Sequence, residues 1–301
     1  MIQQEFINKI YNGDCIETLR SFPDNSIDMC ITSPPYFNLR DYGVNGQIGN
    51  EKNIDEYIDK LATLFSEVKR LLKDSGSVWV NLGDTYDDKN LSQIPSRFAL
   101  KMTDDIGYRL RNEIIWHKPV VMPSSAKDRF TVDHEKFFFF TKNSNYYFDT
   151  QYEPVKESSV KRAKYGLMQS ENEGAKNNAV NVQTLKMGER FVSDKGRIKR
   201  TVWTINPSVT KDKEEHFATF PEELITTPIL ACCPIGGIVL DPFMGSGTTA
   251  LVAKKYRRKF VGIEINPKYI KMANNKISNI TKHEDVILPG ECSSLEEMWK
   301  N

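Results

Sequence analysis

Apolar residues along the chain form short runs that alternate with helical patterns. One clear segment between the first two runs and two candidates near the C-terminus carry helical spacing. The longest has apolar residues three and four apart between positions 54 and 72. We expect this helix to end with Gly76 as a left-handed cap, and further helices at 248–256 and 267–277. Strands alternating with helices indicate an α/β fold with a mostly parallel sheet. The runs that predict buried strands are IDMCI (27–31), SVWVNL (77–82), EIIW (113–116), KFFFF (136–140), GGIVL (236–240) and KFVGIEI (259–265).

A segment in the middle of the chain departs from this pattern. Residues 156–200 have no sustained apolar period and hold eleven Lys and Arg against five Asp and Glu, in a chain whose net charge is only +1. Asn, Gln, Ser and Gly fill the gaps. The segment is either a solvated insertion or a surface for phosphates and base edges.

Length and cysteine content limit the class of protein. A chain of 301 residues suits one large domain or two modest ones. Its odd number of cysteines without a CxxC spacing predicts buried, reduced thiols and argues against a zinc site, so we expect no metal. No apolar run approaches the length of a membrane span and no signal-peptide core is present, so we expect a cytoplasmic protein without a membrane partner. The cysteines are Cys15, Cys30, Cys232, Cys233 and Cys292.

The stretch TSPPY at 32–36 directly follows the first strand. Proline has no N–H, and each proline holds the residue before it extended. Ser33 and Pro34 are therefore predicted to form a rigid backbone that only accepts hydrogen bonds, with Pro35 and the aromatic ring of Tyr36 beside it. A plain Ser-Pro turn is the alternative interpretation.

A second candidate site is GGIVLDPFMGSGTT at 236–249, a strand followed by an acidic residue, a glycine-rich turn and a helix start. Such a turn lets a ligand approach the backbone, but it lacks the lysine of a nucleoside triphosphate loop. Glu264 follows Asp241 by 23 residues, near the spacing of about 20 at which a ribose-binding carboxylate follows such a turn. Because Asp241 would repel a pyrophosphate, S-adenosylmethionine, with its adenosine and its positively charged end, fits better.

SPPY and DPFMGSGTT are the motifs by which this chain resembles the amino-directed DNA methyltransferases of bacterial, archaeal or phage modification systems. The order of the motifs, catalytic first and cofactor last, is that of the β group. The resemblance implies a Rossmann-like S-adenosylmethionine-dependent methyltransferase fold with a catalytic half at 1–150, a target-recognition region at 151–205 and a cofactor-binding half at 206–301. It also covers NGDCIETL (12–19), VWVNLGDTY (78–86), IIWHKP (114–119), HEKFFFF (134–140), HFATFPEELI (216–225) and GIEINPKY (262–269).

The resemblance implies a role for each motif residue. Ser33 Oγ and the Pro34 carbonyl would accept the two hydrogens of an exocyclic amino group, so that the nitrogen lone pair leaves conjugation with the ring. The target base must be flipped out of the duplex, and Tyr36 would stack on it. Asp84 could line the same pocket. His134 lies in a family segment that flanks the target base, although we favour a structural role for it.

The cofactor is expected to lie along the second motif. Glu264 would hold the ribose hydroxyls, Asp241 would face the methionine ammonium group, Phe243 would pack near the adenine and Asp14 would accept from the adenine amino group. The segment at 218–220 would cradle the methionine carboxylate, although HFATFP departs from the HPTQKP form of many relatives. The full predicted set is Asp14, Ala218, Thr219, Phe220, Asp241, Phe243, Gly245, Ser246, Gly247, Thr248 and Glu264.

Serine at position 33 is the form found mostly in cytosine-N4 enzymes, which favours cytosine N4 as the target. Adenine N6 stays open, because some SPPY enzymes modify adenine. Carbon-5 methylation would need a nucleophilic cysteine in a PCQ-type loop, which the chain lacks. Two further alternatives are an RNA methyltransferase and a non-catalytic nucleic-acid-binding protein on a methyltransferase fold.

The expected partner is double-stranded DNA, and a cognate restriction endonuclease is a further candidate partner, with the protein acting as a monomer or a homodimer. Sequence is read by side chains that reach base edges, while other Lys and Arg residues hold phosphates. The basic segment contains both kinds of residue, which makes it the predicted target-recognition region. The residues expected to contact DNA are Lys161, Arg162, Lys164, Arg197, Lys199 and Arg200.

Overall fold

A computed structural model describes residues 6–39, 46–155, 196–208 and 220–280. Among these described residues, no helix is long and apolar enough to cross a membrane. Some of the residues singled out in the sequence lie outside the described ranges: Lys161, Arg162, Lys164, His216, Ala218, Thr219 and Cys292.

The secondary structure alternates between strands and helices, as the hydrophobic pattern predicts. The strands are β1 (Lys9–Asn12), β2 (Ile27–Thr32), β3 (Leu72–Leu82), β4 (Tyr86–Asp87), β5 (Asn90–Leu91), β6 (Arg109–His117), β7 (His134–Thr141), β8 (Tyr152–Glu153), β9 (Arg197–Ile198), β10 (Val202–Thr204), β11 (Ile238–Asp241) and β12 (Lys259–Glu264). The helices are α1 (Cys15–Arg20), α2 (Ile54–Leu71), α3 (Ile94–Leu100), α4 (Glu222–Cys232), α5 (Thr248–Lys255) and α6 (Pro267–Ile280), and a π-helical turn (Lys101–Asp105) follows α3.

Eight strands form the central sheet, in the order β1-β12-β11-β2-β3-β7-β6-β10. Only β7 is antiparallel to its neighbours, and every other adjacent pair is parallel. This arrangement confirms the predicted α/β fold with a mostly parallel sheet. All six predicted strands are present, as β2, β3, β6, β7, β11 and β12.

Helix α2 shows how local sequence sets an element. It begins after Asn53, whose side chain accepts from the Glu56 N–H at 2.9 Å, and its apolar face is buried in the core. The predicted left-handed cap at Gly76 is wrong. The helix ends at Leu71, and the buried Leu72 enters β3 directly because it pairs with Ile27 of β2.

The described chain divides into two compact units. The smaller one covers Thr150–Arg200 and contains the pair β8 and β9, where the side chain of Glu153 accepts from Arg197 at 2.8 Å and from Arg200 at 3.1 Å. Residues 201–205, predicted to belong to the inserted region, lie in the larger unit. The reason is that β10 pairs with β6 and Trp203 is buried there.

Four of the five cysteines lie in the described ranges, and all four are free and buried. Burial raises the pKa of Cys15, Cys232 and Cys233 to about 12 and that of Cys30 well above its ordinary value. A thiol that stays protonated is a poor nucleophile. The burial and the free state of these four cysteines confirm the prediction of buried, reduced thiols.

Candidate active site

The two sequence motifs meet at one edge of the sheet. Strand β2 leads into SPPY and β11 leads into the glycine-rich turn, and the two strands are parallel neighbours with Leu240 opposite Cys30. Thr32 Oγ1 donates to Asp241 Oδ1 at 2.6 Å. The strand order changes direction between β11 and β2, which is where open α/β sheets bind their ligands.

Asp241, the first residue of DPFMGSGTT, is buried where this motif meets the end of β2. Its side chain is 1% exposed, and it also accepts from the Phe243 N–H at 3.0 Å and from Thr249 Oγ1 at 2.6 Å. Burial raises the pKa of this carboxyl to about 6, although the hydrogen bonds oppose the shift. Both oxygens thus have partners inside the protein, and a contact with a ligand's ammonium group, which stays a prediction, would have to share them.

The turn after β11 depends on glycine at two positions. Gly245 and Gly247 have φ of +52° and +86°, a region that side chains rarely adopt. A Cβ on Gly247 would lie 2.6 Å from the Cβ of Ala273 in α6, whereas one on Gly245 would meet nothing nearer than 3.9 Å. Gly247 is therefore required by packing, and the space beside Gly245 is open to a ligand.

Glu264, at the end of β12, holds this turn in place. Its Oε2 accepts from the Gly245 N–H and its Oε1 from the Asn266 N–H, both at 2.8 Å. The side chain is 8% exposed, and burial raises the pKa of its carboxyl. Asn12 of β1 lies opposite Glu264, so Asp14 comes close to the same edge, where its carboxylate caps α1 by accepting from the Glu17 N–H at 2.9 Å.

These positions fit the predicted cofactor. Asp14, two residues after β1, and Glu264, at the end of β12, supply carboxylate acceptors for an amino group and for ribose hydroxyls, and Gly245 in the turn that Glu264 holds has no side chain. Three further predicted residues belong to the turn and the start of α5. Phe243 is partly buried against the core, Ser246 is half-buried, and the Thr248 hydroxyl accepts from Lys276 Nζ at 3.3 Å. Phe220, just before α4, is half-buried. Each of these roles stays a prediction.

A hydrogen bond from helix α2 holds the backbone of the SPPY segment. Tyr57 of α2 donates its hydroxyl to the Pro35 carbonyl at 2.8 Å, and Pro34 is buried. No described residue donates to the Pro34 carbonyl, and Ser33 is half-buried beside it. Two acceptors, Ser33 Oγ and the Pro34 carbonyl, therefore lie together on a supported backbone.

A partly buried polar network anchors Tyr36. Its hydroxyl donates to Glu135 Oε2 at 2.7 Å and accepts from Asn81 Nδ2 at 2.8 Å, and it is 3.4 Å from Ser33 Oγ. Lys118 Nζ forms an ion pair with Glu135 Oε1. Burial, followed by the neighbouring Glu135 charge, raises the pKa of Tyr36 well above its ordinary value. Sequence reasoning missed Asn81, Glu135 and Lys118, although each lies in a segment that carries the family resemblance.

The ionisable residues that the sequence did single out lie elsewhere. His134 is exposed, and its Nδ1 lies 3.3 Å from the carboxylate of Asp133. Asp84 is exposed too, and it accepts from the Ile94 N–H at 3.1 Å, which fixes the start of α3. His134 thus precedes the residue that joins the network, and neither side chain forms a hydrogen bond or an ion pair with SPPY among the described residues.

A Rossmann-like sheet with an acceptor pair and a glycine turn side by side defines an S-adenosylmethionine-dependent methyltransferase fold. Residues 27–275 match the N6/N4 methyltransferase family, described as DNA methylase. The chain belongs to this family, which confirms the predicted resemblance.

Similar proteins agree with this assignment. The chain is 37% identical to the type II methyltransferase M.Cfr9I of Citrobacter freundii over 89% of this chain and 87% of that protein. It is also 37% identical to the type II methyltransferase M.SmaI of Serratia marcescens over 89% and 90%. The solved PvuII DNA methyltransferase, a cytosine-N4-specific enzyme, has the same fold with a TM-score of 0.65, 24% identity and coverage of 89% and 85%. TTHA0409 of Thermus thermophilus shares the fold with a TM-score of 0.60, 25% identity and coverage of 91% and 96%.

Proposed function

We propose that this DNA methyltransferase acts on the exocyclic N4 of a flipped cytosine in duplex DNA. The observation that carries the proposal is the adjacency of β2 and β11, which brings the acceptors of SPPY beside the glycine turn at one sheet edge. Serine at position 33 favours cytosine over adenine. The PvuII enzyme supports the fold, but at 24% identity it does not decide the base.

The methyl donor is S-adenosyl-L-methionine, the cofactor of this class of enzyme, which supplies an electrophilic methyl group on sulfur. Glu264 and Asp14 would hold its adenosine end, and the turn at Gly245 would lie along it. The Asp241 carboxylate keeps β2, β11 and α5 together through Thr32 and Thr249. The protein's task is therefore chiefly to position two reactants.

The amino group of cytosine is a poor nucleophile because its lone pair is conjugated with the ring. Ser33 Oγ and the Pro34 carbonyl would accept its two hydrogens and turn the lone pair toward the methyl group. This arrangement needs two acceptors and no competing donor. Proline at 34 and 35 removes two backbone donors from the site, and Tyr36 would stack on the base.

Duplex DNA would be read by the smaller unit, with the basic surplus of residues 156–200 as the electrostatic footprint. Arg197 and Arg200 both contact Glu153, so part of their charge is already neutralised within the protein. Because the related M.Cfr9I and M.SmaI are type II methyltransferases, a restriction endonuclease with the same target is the expected functional partner.

The experiment that tests this function is nucleoside mass spectrometry. The protein is produced in a host whose DNA lacks methylated amino groups, and the DNA is digested to nucleosides. We expect N4-methyldeoxycytidine with the wild type and much less of it with Ser33→Ala, whose rate should fall by on the order of 10²–10³.

The other outcomes separate the alternatives. Detection of N6-methyldeoxyadenosine would show that the target base is adenine and would leave the proposed mechanism unchanged. If no modified DNA base is found, total RNA from the same cells is analysed next. Unmodified RNA together with normal binding of S-adenosylmethionine and DNA would favour a non-catalytic nucleic-acid-binding protein.

A further inference from the structure

Glu135 is the end point of a chain of hydrogen bonds that begins at Ser33. Ser33 Oγ lies 3.4 Å from the Tyr36 hydroxyl, which lies 2.7 Å from Glu135 Oε2. The three residues come from two parts of the chain about 100 positions apart, joined because β7 begins at the edge where β2 and β3 end. The network therefore connects a predicted acceptor of the reaction to a carboxylate on another strand, outside the SPPY motif.

The chemistry of the partners decides the direction of each hydrogen bond. Asn81 Nδ2 only donates, and an ionised Glu135 only accepts. The Tyr36 hydroxyl must therefore accept from Asn81 and donate to Glu135, and its second lone pair is left to accept the hydrogen of Ser33. Lys118 holds the other oxygen of Glu135 and lies 4.3 Å from the centre of the Trp116 ring.

The direction of these hydrogen bonds leaves one polar atom of Asn81 without a partner among the described residues. The side chain is 2% exposed, and its Oδ1 has no hydrogen-bond partner in the described part of the protein. Rotating the amide would bring Oδ1 against the Glu135 carboxylate, 2.6 Å from the present position of Nδ2, where two acceptors would repel. One buried acceptor is thus left unsatisfied so that both donors of the amide point into the network.

We propose that Glu135 is a positioning residue which, through Tyr36, directs the hydroxyl hydrogen of Ser33 away from the target base. A serine hydroxyl can donate as well as accept. Only when its hydrogen is engaged by Tyr36 are both lone pairs of Ser33 available to the amino group that is methylated. This inference rests on the proposed function and extends it to residues beyond the SPPY motif.

Glu135→Gln tests the direction of the network. A glutamine beside Lys118 turns its oxygen toward the ammonium group and its NH₂ toward Tyr36. Tyr36 would then donate to Ser33 Oγ, which occupies a lone pair that the substrate needs. We expect the single-turnover methylation rate to fall by about 10- to 100-fold, the scale of a small misplacement in a reactive site.

The matched control is Glu113→Gln in the neighbouring strand β6. Glu113 also pairs with a lysine, Lys136, at 3.3 Å, but it has no contact with Tyr36. Rates are measured on the duplex site that sequencing of the modified DNA identifies. Affinities for S-adenosylmethionine and for that duplex, and the melting temperature, are measured for every variant. We expect both affinities to stay within about twofold of the wild type.

A double-mutant cycle separates positioning from a general loss of stability. Tyr36→Phe keeps the ring and removes the hydroxyl, so it should slow the reaction by a similar factor. Because both changes break one chain of contacts, the double variant should be no more than about threefold slower than the slower single variant.

Three results would overturn the inference: a normal rate for Tyr36→Phe, a normal rate for a folded Glu135→Gln, or effects that multiply in the double variant. If Glu135→Gln does not fold, the Tyr36→Phe rate alone decides. A wild type that binds S-adenosylmethionine and DNA but modifies no base would instead contradict the proposed function, so the two failures are distinguishable.

Discussion

At the scale of single residues, Asp241 combines an ionisable group with complete burial. Its carboxyl is surrounded by two threonine hydroxyls and one backbone N–H, without a cation among its hydrogen-bond partners in the described residues. Burial raises its pKa to about 6, against 3.8 for an exposed aspartate. The folded protein therefore binds a proton at Asp241 over a pH range in which the unfolded chain has released it.

This difference predicts how stability depends on pH. The stabilisation from protonated Asp241 is fully present below about pH 4 and is lost as the pH rises through about 6. Asp241→Asn removes this dependence, so the wild type should lose about 2 kcal/mol relative to the variant between pH 4 and pH 7. Urea unfolding of both proteins across that range is the measurement.

The same substitution at the exposed Asp84 serves as the matched control. Parallel pH profiles for the wild type and Asp241→Asn would show that the Asp241 carboxyl does not titrate in this range.

The residues that sequence reasoning found and missed differ in a physical way. Ser33, Asp241 and Glu264 stand directly after apolar runs, so a local pattern places each of them at the end of a strand. Glu135 is the second residue of β7, but its importance comes from Tyr36, 99 positions away in the chain. A contact of that range depends on the order of strands in the sheet, which a single sequence does not reveal.

At the scale of elements, the connection between β11 and α5 depends on β12. The Glu264 carboxylate accepts from Gly245 in the turn and from Asn266 after its own strand, so one side chain fixes the backbone on both sides. If the same carboxylate receives the ribose hydroxyls of the cofactor, its removal affects the ligand and the turn together.

Glu264→Ala should therefore weaken S-adenosylmethionine binding by about 1.5–3 kcal/mol, the range for a hydrogen bond to a charged group. Glu264→Gln retains one acceptor oxygen and should lie between the wild type and the alanine variant. Isothermal calorimetry measures the three affinities, and DNA binding should stay unchanged. Equal affinity in all three proteins would rule out the ribose assignment.

The elements that could be predicted are those with enough apolar residues to show a period. Helix α2 and the six inner strands meet that condition. Strands β1 and β10 lie at the two edges of the sheet, and both are short, so they carry little pattern. Helix α4 was missed as well, because Pro228 lies inside it and its hydrophobic residues surround the helix without a clear face. The end of α2 was mispredicted because packing within β3, and not a helix cap, requires glycine at position 76. A Cβ there would lie 2.9 Å from the carbonyl oxygen of Lys73.

At the scale of the whole molecule, composition sets the basic segment 156–200 apart from the rest of the chain, and the structure sets the smaller unit apart by its contacts. The boundaries of the segment and of the unit nearly coincide. The basic segment begins near the start of the smaller unit and ends with it at Arg200. Residues 201–205 belong to the larger unit and pack against the sheet. The ring centres of Trp203 and Trp79 lie 6.2 Å apart, and the Ile205 carbonyl accepts from Trp116 Nε1 at 2.9 Å. Composition cannot show this packing, because β10 is only three residues long.

These boundaries define an exchange experiment for sequence recognition. Thr150–Arg200 is replaced by the corresponding segment of M.SmaI, while β10 and Trp203 are kept so that the sheet stays intact. Because the catalytic motifs and the cofactor turn lie outside the exchanged segment, S-adenosylmethionine affinity should match the wild type. Side chains that reach base edges carry specificity, so the chimaera should methylate the donor's DNA sequence, as mapped by sequencing.

The chimaera with Ser33→Ala is the control that assigns the modification to this active site. A second chimaera that also carries Trp203→Ala should melt earlier, since this change removes the ring contacts of Trp203 with Trp79 and Phe137. If the first chimaera folds, binds S-adenosylmethionine and still methylates the original site, recognition resides in the larger unit. The basic segment would then be a solvated insertion, the interpretation that its composition also allows.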